Sequence, residues 1–266
     1  MPPTNTAILV LGYCRPHLLA MVLESLSRQG AIAQTHVWLD GTAARSELQA
    51  DTGGCLDVAR NFPVADLRAH RGHLGIEKLM LDALTDVARR HSRIVVLEDD
   101  CFPTRDAIST FNLTLDKFES RTDVFSVYGH HFLTPSEGET ITRFQGWGWA
   151  TTAAKLTPIL SRARELFALS ERDYLAFAAS SLTPEVRARL DITPGRNVIH
   201  VLQSFFSWDS CTALLTAMAG QCHARTSRRV IYNCGLGGNS GHFPDSDLLR
   251  SPPFNMIRPT EVWDVY

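Results

Sequence analysis

The fold is decided by the stretch Arg93-Ile94-Val95-Val96-Leu97-Glu98-Asp99-Asp100. Its apolar part has the length and the β-branched content of a strand that is buried on both faces. Three consecutive carboxylates follow directly and mark the point where this strand leaves the sheet. In open α/β sheets, ligands bind beyond the carboxyl ends of the strands. The stretch therefore predicts a central strand with a polar site at its end.

Strand and helix patterns alternate through the first hundred residues. Continuous or mixed apolar runs predict strands over 7–11, 36–39 and 66–69, and apolar residues at helical spacing predict helices from 16, over about 46–60 and over 75–90. Such alternation indicates parallel strands that are joined by right-handed crossovers. We therefore predict an α/β fold with a mostly parallel sheet flanked by helices. Its strand ends bring Arg15, Asp40 and the acidic triplet to one rim.

The second half of the chain has a different pattern. Short strands are expected over 125–128, 141–144 and 228–232, and helices over 152–169 and 205–219. There is no internal repeat and no linker composition, so we expect one integrated domain with two lobes, residues 1–101 and residues 102–266.

Composition excludes several classes of protein. The chain has 266 residues, 20% of them charged, and a net charge of −2, which lacks the basic excess of a nucleic-acid binder. No apolar stretch reaches the roughly 18 residues that a membrane span needs, and no basic region precedes the first apolar run. We therefore expect a cytoplasmic protein without a transmembrane segment. The six cysteines lack CxxC spacing, which favours reduced thiols over a zinc site.

Two segments carry candidate chemistry with an ordinary structural alternative. The triplet Glu98-Asp99-Asp100 is either a solvated loop or helix cap, or a set of hard oxygen ligands for Mn²⁺ or Mg²⁺. The segment Gly146-Trp147-Gly148-Trp149 either packs its indoles in the core or presents an aromatic face to a sugar ring.

Two further features have the same ambiguity. Asp209, which follows Trp208 on a predicted helix, is either a surface residue or a general base for a hydroxyl nucleophile. The glycine-rich loop from Asn233 to His242 is either a turn-rich connection or a phosphate cradle. It lacks the Gly-Lys-Ser/Thr of a P-loop, and its His242 is able to bind a metal or a phosphate oxygen.

Taken in order, these segments resemble the GT-A glycosyltransferases, in particular bacterial family-2-type sugar transferases. The resemblance spans residues 7–243, and its layout is similar to the N-acetylglucosaminyltransferase that begins complex N-glycans. It is carried by five segments: Gly12-Tyr13-Cys14-Arg15-Pro16, Leu97-Glu98-Asp99-Asp100, Trp147-Gly148-Trp149-Ala150-Thr151, Ser207-Trp208-Asp209 and Asn233-Cys234-Gly235-Leu236-Gly237 with His242.

The resemblance implies a metal-dependent, inverting transfer of a sugar from a nucleotide sugar, most simply a UDP-sugar, to an acceptor hydroxyl. Residues 1–101 would then bind the nucleotide sugar, and residues 102–266 would bind a small-molecule, glycan or lipid-linked acceptor. Asp209 would be the general base, and Asp100 and His242 would hold Mn²⁺ or Mg²⁺. The donor would be bound by Gly12, Tyr13, Arg15, Asp40, Glu98, Asp99, Trp147, Gly148 and Trp149, with Asp40 on the base and Arg15 on the nucleotide or its phosphates.

The sequence departs from the family pattern at two places. Position 152 is Thr where the family often has Trp, and the closing segment differs from the usual Gly-Phe-Gly…Thr-His-Thr. Two other functions stay open: a nucleotidyltransferase that makes a nucleotide sugar, and a non-catalytic protein that binds one. The first would need a glycine-rich first loop that Gly12–Pro16 lacks. The second would be favoured if Asp209 faced solvent or if Asp100 bound no metal.

Overall fold

The strand that leads into the acidic triplet belongs to a mixed sheet. A computed structural model describes residues 6–42, 48–131, 139–190, 206–237 and 243–266. Eight strands within these residues form the main sheet, and two form a small second sheet. In chain order they are β1 Thr6–Gly12, β2 Thr35–Leu39, β3 Asp66–Ala69, β4 Arg93–Glu98, β5 Cys101–Pro103, β6 Val124–Tyr128, β7 Thr140–Ile141, β8 Trp149–Thr152, β9 Cys222–Arg225 and β10 Ile231–Asn233.

Helices connect these strands and cover both faces of the sheet. They are α1 Pro16–Arg28, α2 Gln49–Arg60, α3 Ile76–Arg90, α4 Ala107–Phe118, α5 Ala153–Phe167, α6 Glu171–Ser181, α7 Pro184–Leu190, α8 Trp208–Met218 and α9 Asp247–Arg250. Short 3-10 segments lie at Ile32–Gln34 and Pro259–Asp264. No helix among the described residues is long and apolar enough to cross a membrane.

The main sheet has the strand order β3-β2-β1-β4-β8-β6-β9-β7. Strands β1 to β4 pair in parallel, while β8 runs antiparallel between β4 and β6. Strands β6 and β9 are parallel to each other and therefore run in the same direction as β4. The predicted α/β fold with a mostly parallel sheet flanked by helices is confirmed.

The alternation of side chains along β1 explains its continuous apolar sequence. Leu9 and Leu11 pack with α3, α5 and α8 in one core cluster, whereas Ile8 and Val10 pack with α1, α2 and α4 in the other. A strand that faces two helical layers has no solvent-facing side, so each of its positions is apolar.

Three local predictions need correction. Residues 149–152 form strand β8, which the sequence pattern did not predict, because its antiparallel insertion depends on pairing with two distant strands. The strand expected over 141–144 is confined to Thr140–Ile141, since Phe144 turns into the core. The strand expected over 228–232 lies at Ile231–Asn233, where it pairs with β5.

The two-layer core gives a direct stability test. Leu9 is 0% exposed and Leu113 is 70% exposed, so the same Leu→Ala change removes packed atoms at one site only. We expect Leu9→Ala to lower the free energy of unfolding by about 2–5 kcal/mol. Urea denaturation measures both variants, and Leu113→Ala should stay within about 0.5 kcal/mol of the parent. Equal losses would contradict the assignment of Leu9 to the core.

Candidate functional site

The predicted rim forms where strands β1 and β4 end side by side. Leu11 pairs with Glu98, so the turn after β1 lies next to the acidic triplet after β4. The amide of Asp40 donates to the carbonyl of Gly12 at 3.0 Å, which brings the end of β2 to the same rim. Parallel pairing thereby gathers three segments that are distant in sequence.

Arg15 bridges two carboxylates of the triplet. Its Nη1 donates to Oδ2 of Asp100 at 2.9 Å, and its Nη2 donates to Oδ1 of Asp99. Asp99 and Asp100 are only 2% and 6% exposed, so this guanidinium provides charge compensation that water cannot supply. The other oxygen of Asp99, Oδ2, is buried and has no hydrogen-bond partner among the described residues.

The titration of this cluster reflects its burial and its crowded charges. Burial raises the pKa of Asp99 to about 6, although Arg15 acts to lower it. Burial and the neighbouring charges of Asp100 and Asp99 raise the pKa of Glu98 well above its ordinary value. Burial acts to lower the pKa of Arg15, but Asp100 and Asp99 outweigh it and raise this pKa. The cluster therefore contains three carboxyl groups and one arginine, Arg15, that stays positively charged.

The first residues of the glycine-rich segment close over Asp100. The amide of Cys234 donates to the backbone carbonyl of Asp100 at 2.8 Å. A Cβ atom on Gly235 would lie 2.6 Å from Oδ2 of Asp100, closer than any side chain tolerates. Glycine at 235 is thus required by the approach of this backbone to the carboxylate. His242 lies outside the described residues.

Asp209 lies in the first turn of α8. Its Oδ1 accepts hydrogen bonds from the Ser207 hydroxyl and from the amide of Ser210, the latter at 2.7 Å. The residue is exposed, and its charge is among those that raise the pKa of Glu98. Gly146 lies beside it, since a Cβ there would be 3.5 Å from the Cβ of Asp209.

Asp40 has a structural task that the sequence did not indicate. Its carboxylate accepts hydrogen bonds from the amides of Gly41, Leu74 and Gly75 at 2.7–3.0 Å, and Nδ1 of His73 lies 2.8 Å away. These donors fix the turn over 70–75 and engage both oxygens, and the expected contact of Asp40 with a base stays a prediction. The turn brings the His73 ring to 5.1 Å from the ring of Tyr13.

The two tryptophans of the Gly-Trp-Gly-Trp segment have separate surroundings. Trp149 is 1% exposed and packs in the core against Phe125 and Trp208, and the donor contact expected of it stays a prediction. Trp147 is half-buried and lies 5.0 Å from His130, ring to ring. Gly148 has φ +68°, and a Cβ atom there would lie against Ile231. Glycine is therefore required by the conformation of the backbone at this position.

The donor set suits a hard divalent cation whose remaining ligands come from a substrate. Across the described ranges, no three His, Cys, Asp or Glu side chains are grouped closely enough to hold a metal by themselves. Magnesium is commonly held by one or two carboxylates together with substrate phosphates. The Asp100 carboxylate fits that arrangement, and Arg15 donates to it and to the neighbouring Asp99.

Sequence reasoning did not single out two residues of this rim. His73 faces Tyr13 only because Asp40 fixes its turn, and no local pattern marks it. Cys234 lies in the quoted glycine-rich segment, but its contact with Asp100 depends on the pairing of β5 with β10.

Comparison with known proteins adds similarities of fold. No protein-family model and no curated protein matches the chain. Among solved structures it is similar to S. aureus TarS 1–349 (11% identity, 86% of this chain and 60% of that chain, TM-score 0.46). It is also similar to the Pyrobaculum calidifontis mannosyltransferase in complex with GDP-Man and Mn²⁺ (16%, 59% and 46%, 0.39) and to a Leptospira borgpetersenii cytidylyltransferase (16%, 59% and 64%, 0.40). Likenesses this distant carry no functional assignment.

The contact between Gly235 and Asp100 gives a test of the site. We expect Gly235→Ala to displace the Asp100 carboxylate from Arg15 and to lower the free energy of unfolding by about 1–3 kcal/mol. Gly72→Ala is the matched control, because a Cβ at that position meets nothing within 4 Å. Denaturant unfolding compares the two variants, and a loss no greater at 235 than at 72 would rule out the close approach.

Proposed function

We propose that this protein is a glycosyltransferase that moves a sugar from a nucleotide sugar, most simply a UDP-sugar, to an acceptor hydroxyl with inversion. The observation that carries the proposal is the meeting of Arg15, Asp99 and Asp100 with Gly235. This cluster suits a nucleoside diphosphate, and the exposed Asp209, beside Gly146, supplies a further carboxylate.

On the donor side, Arg15 would contact the diphosphate while it orients both carboxylates. Asp100, together with His242, would hold Mn²⁺ or Mg²⁺, which when bound offsets the charge that develops on the leaving diphosphate. Asp99 would contact the ribose or the donor sugar, and Glu98 would support the site. Gly12 ends β1 beside this cluster, and the rings of Tyr13 and His73 would flank the base.

On the acceptor side, Asp209 would take the proton of the attacking hydroxyl. Ser207 and the amide of Ser210 both bind its Oδ1, which fixes the carboxylate, while Oδ2 makes no hydrogen bond with the described part of the chain. That oxygen is free to accept a proton from a hydroxyl that approaches the sugar. Trp147 would line the sugar or acceptor pocket.

A second candidate, a non-catalytic protein that binds a nucleotide sugar, is favoured by one observation. Asp209 is exposed to solvent, whereas many general bases are partly desolvated. The remaining alternative is a nucleotidyltransferase. It lacks support because Arg15, the one basic residue in the turn after β1, is engaged by Asp99 and Asp100.

Removal of the proposed base separates catalysis from binding. We expect Asp209→Asn to lower sugar transfer by about 10²- to 10⁴-fold, because the amide cannot take the hydroxyl proton. Binding of the nucleotide donor should be unchanged. Nucleotide release from a panel of nucleotide sugars, with an acceptor mixture, measures transfer, and thermal stabilisation by the nucleotide measures binding.

Asp57→Asn is the matched control, since Asp57 is exposed on α2. Equal transfer by both variants would exclude Asp209 as the base. Donor binding without transfer in the unmodified protein would establish the non-catalytic candidate. Release of pyrophosphate from a nucleoside triphosphate and a sugar 1-phosphate would instead identify a nucleotidyltransferase.

A further inference from the structure

Arg225 and Arg229 lie at and after the end of β9, a strand that runs in the same direction as β4. Arg225 is the last residue of β9, and it pairs in register with Tyr128, the last residue of β6. Because side chains at paired positions lie on the same face of a sheet, Arg225 lies beside Tyr128. The nearby His131 is connected to this strand end through its Nε2, 3.2 Å from Oγ1 of Thr226. Arg225 is only half-buried.

Arg229 is held in place by neutral groups only. Its Nε donates to the carbonyl of Ile231 at 3.2 Å, and its Nη2 donates to the carbonyl of Asn255. Nη2 also lies 3.3 Å from Nδ1 of His130, and the guanidinium stacks on the ring of Tyr232 at 3.8 Å. These contacts orient the guanidinium without neutralising its charge.

Neither arginine has a carboxylate partner in the described chain. Glu139, whose carbonyl accepts the amide of Arg225, directs its carboxylate to Lys117. Asp106 pairs with Arg228, the residue that precedes Arg229. Burial of a charge without a counterion is costly, so an anion that reaches these guanidinium groups would supply a compensating charge.

The positive charges of both arginines act on His131. Burial lowers the pKa of His131 to about 4, and the charges of Arg225 and Arg229 lower it further in the same direction. Burial also lowers the pKa of Arg229 to about 10, as expected for a guanidinium without a neighbouring acid. The space around His131 is therefore electropositive while the imidazole itself stays neutral near pH 7.

This electropositive space adjoins the acceptor side of the candidate site. Nδ1 of His130, which contacts Arg229, also accepts the amide of Asn233 at 3.3 Å, just before the segment that closes over Asp100. The ring of His130 meets Trp147, and the preceding Gly146 lies beside Asp209. Arg229 is thus connected to Asp209 through His130 and Trp147.

We propose that Arg225 and Arg229, together with His131, form a subsite for an anionic group, a phosphate or a carboxylate, on the acceptor. The assignment to an acceptor rests on the proposed transferase function. The binding of an anion by these residues does not depend on it, so the two can fail separately.

Anion binding is tested with inorganic phosphate and with acetate at constant ionic strength, using thermal stabilisation of the full chain as the readout. We expect saturable stabilisation by at least one of the two anions, and the tighter one names the group. Arg225→Gln, which removes no hydrogen bond described for this side chain, should weaken that binding at least tenfold. Arg229→Gln should weaken it similarly, and Arg229→Lys, which keeps the charge, should restore part of it.

Arg172→Gln, an exposed arginine on α6, is the control and should bind as the parent does. Saturating UDP should leave anion binding intact. The proposal is overturned if neither anion gives saturable stabilisation or if Arg225→Gln binds as tightly as the control. It is equally overturned if UDP displaces the anion and the arginine variants lose UDP, because the residues would then belong to the donor diphosphate.

Discussion

The ion pairs of Arg15 with Asp99 and Asp100 are the interaction on which the rest of the site depends. Two buried carboxylates next to a third would repel one another strongly without a cation. One guanidinium with two donors aimed at two different carboxylates holds them in a fixed relation. The three carboxyl groups outnumber the single Arg15 that contacts two of them, which suits the entry of a further cation together with an anionic substrate.

One residue of this cluster, Asp100, also connects parts of the chain that are distant in sequence. Asp100 contacts Arg15 from the turn after β1 and the segment Cys234–Gly235 after β10. Gly235 is required there because only a residue without Cβ lets the backbone approach the carboxylate so closely. The small β5–β10 sheet sets the register of this approach, so the fold and the site share one set of contacts.

Local patterns predicted the elements of the first half well and the details of the site less well. Strand β4 and its acidic end follow from composition alone, because a strand buried on both faces must be apolar throughout. The pairing of Arg15 with Asp99 depends on the register of β1 against β4, which no local pattern contains. The hydrogen bonds from the amides of Leu74 and Gly75 to Asp40 could not be predicted for the same reason.

The Gly-Trp-Gly-Trp segment shows how one unpredicted strand gives two neighbouring tryptophans different surroundings. Both tryptophans were expected near the donor, but β8 begins at Trp149 and carries that side chain into the core. Trp147 precedes the strand and stays near the rim. Asp209 was expected on a helix and lies in the first turn of α8, yet its exposure depends on packing that the sequence does not specify.

The most direct test of the central claim measures thermal stability against nucleoside diphosphates and nucleotide sugars, each with and without Mn²⁺. A ligand that binds only the folded state raises its apparent stability. We predict stabilisation by one nucleotide that requires Mn²⁺ and is lost in Asp100→Ala, while Asp116→Ala keeps it. If no nucleotide stabilises the protein, or if Asp100→Ala responds as the parent does, the assignment of this rim to a nucleotide-sugar donor is contradicted.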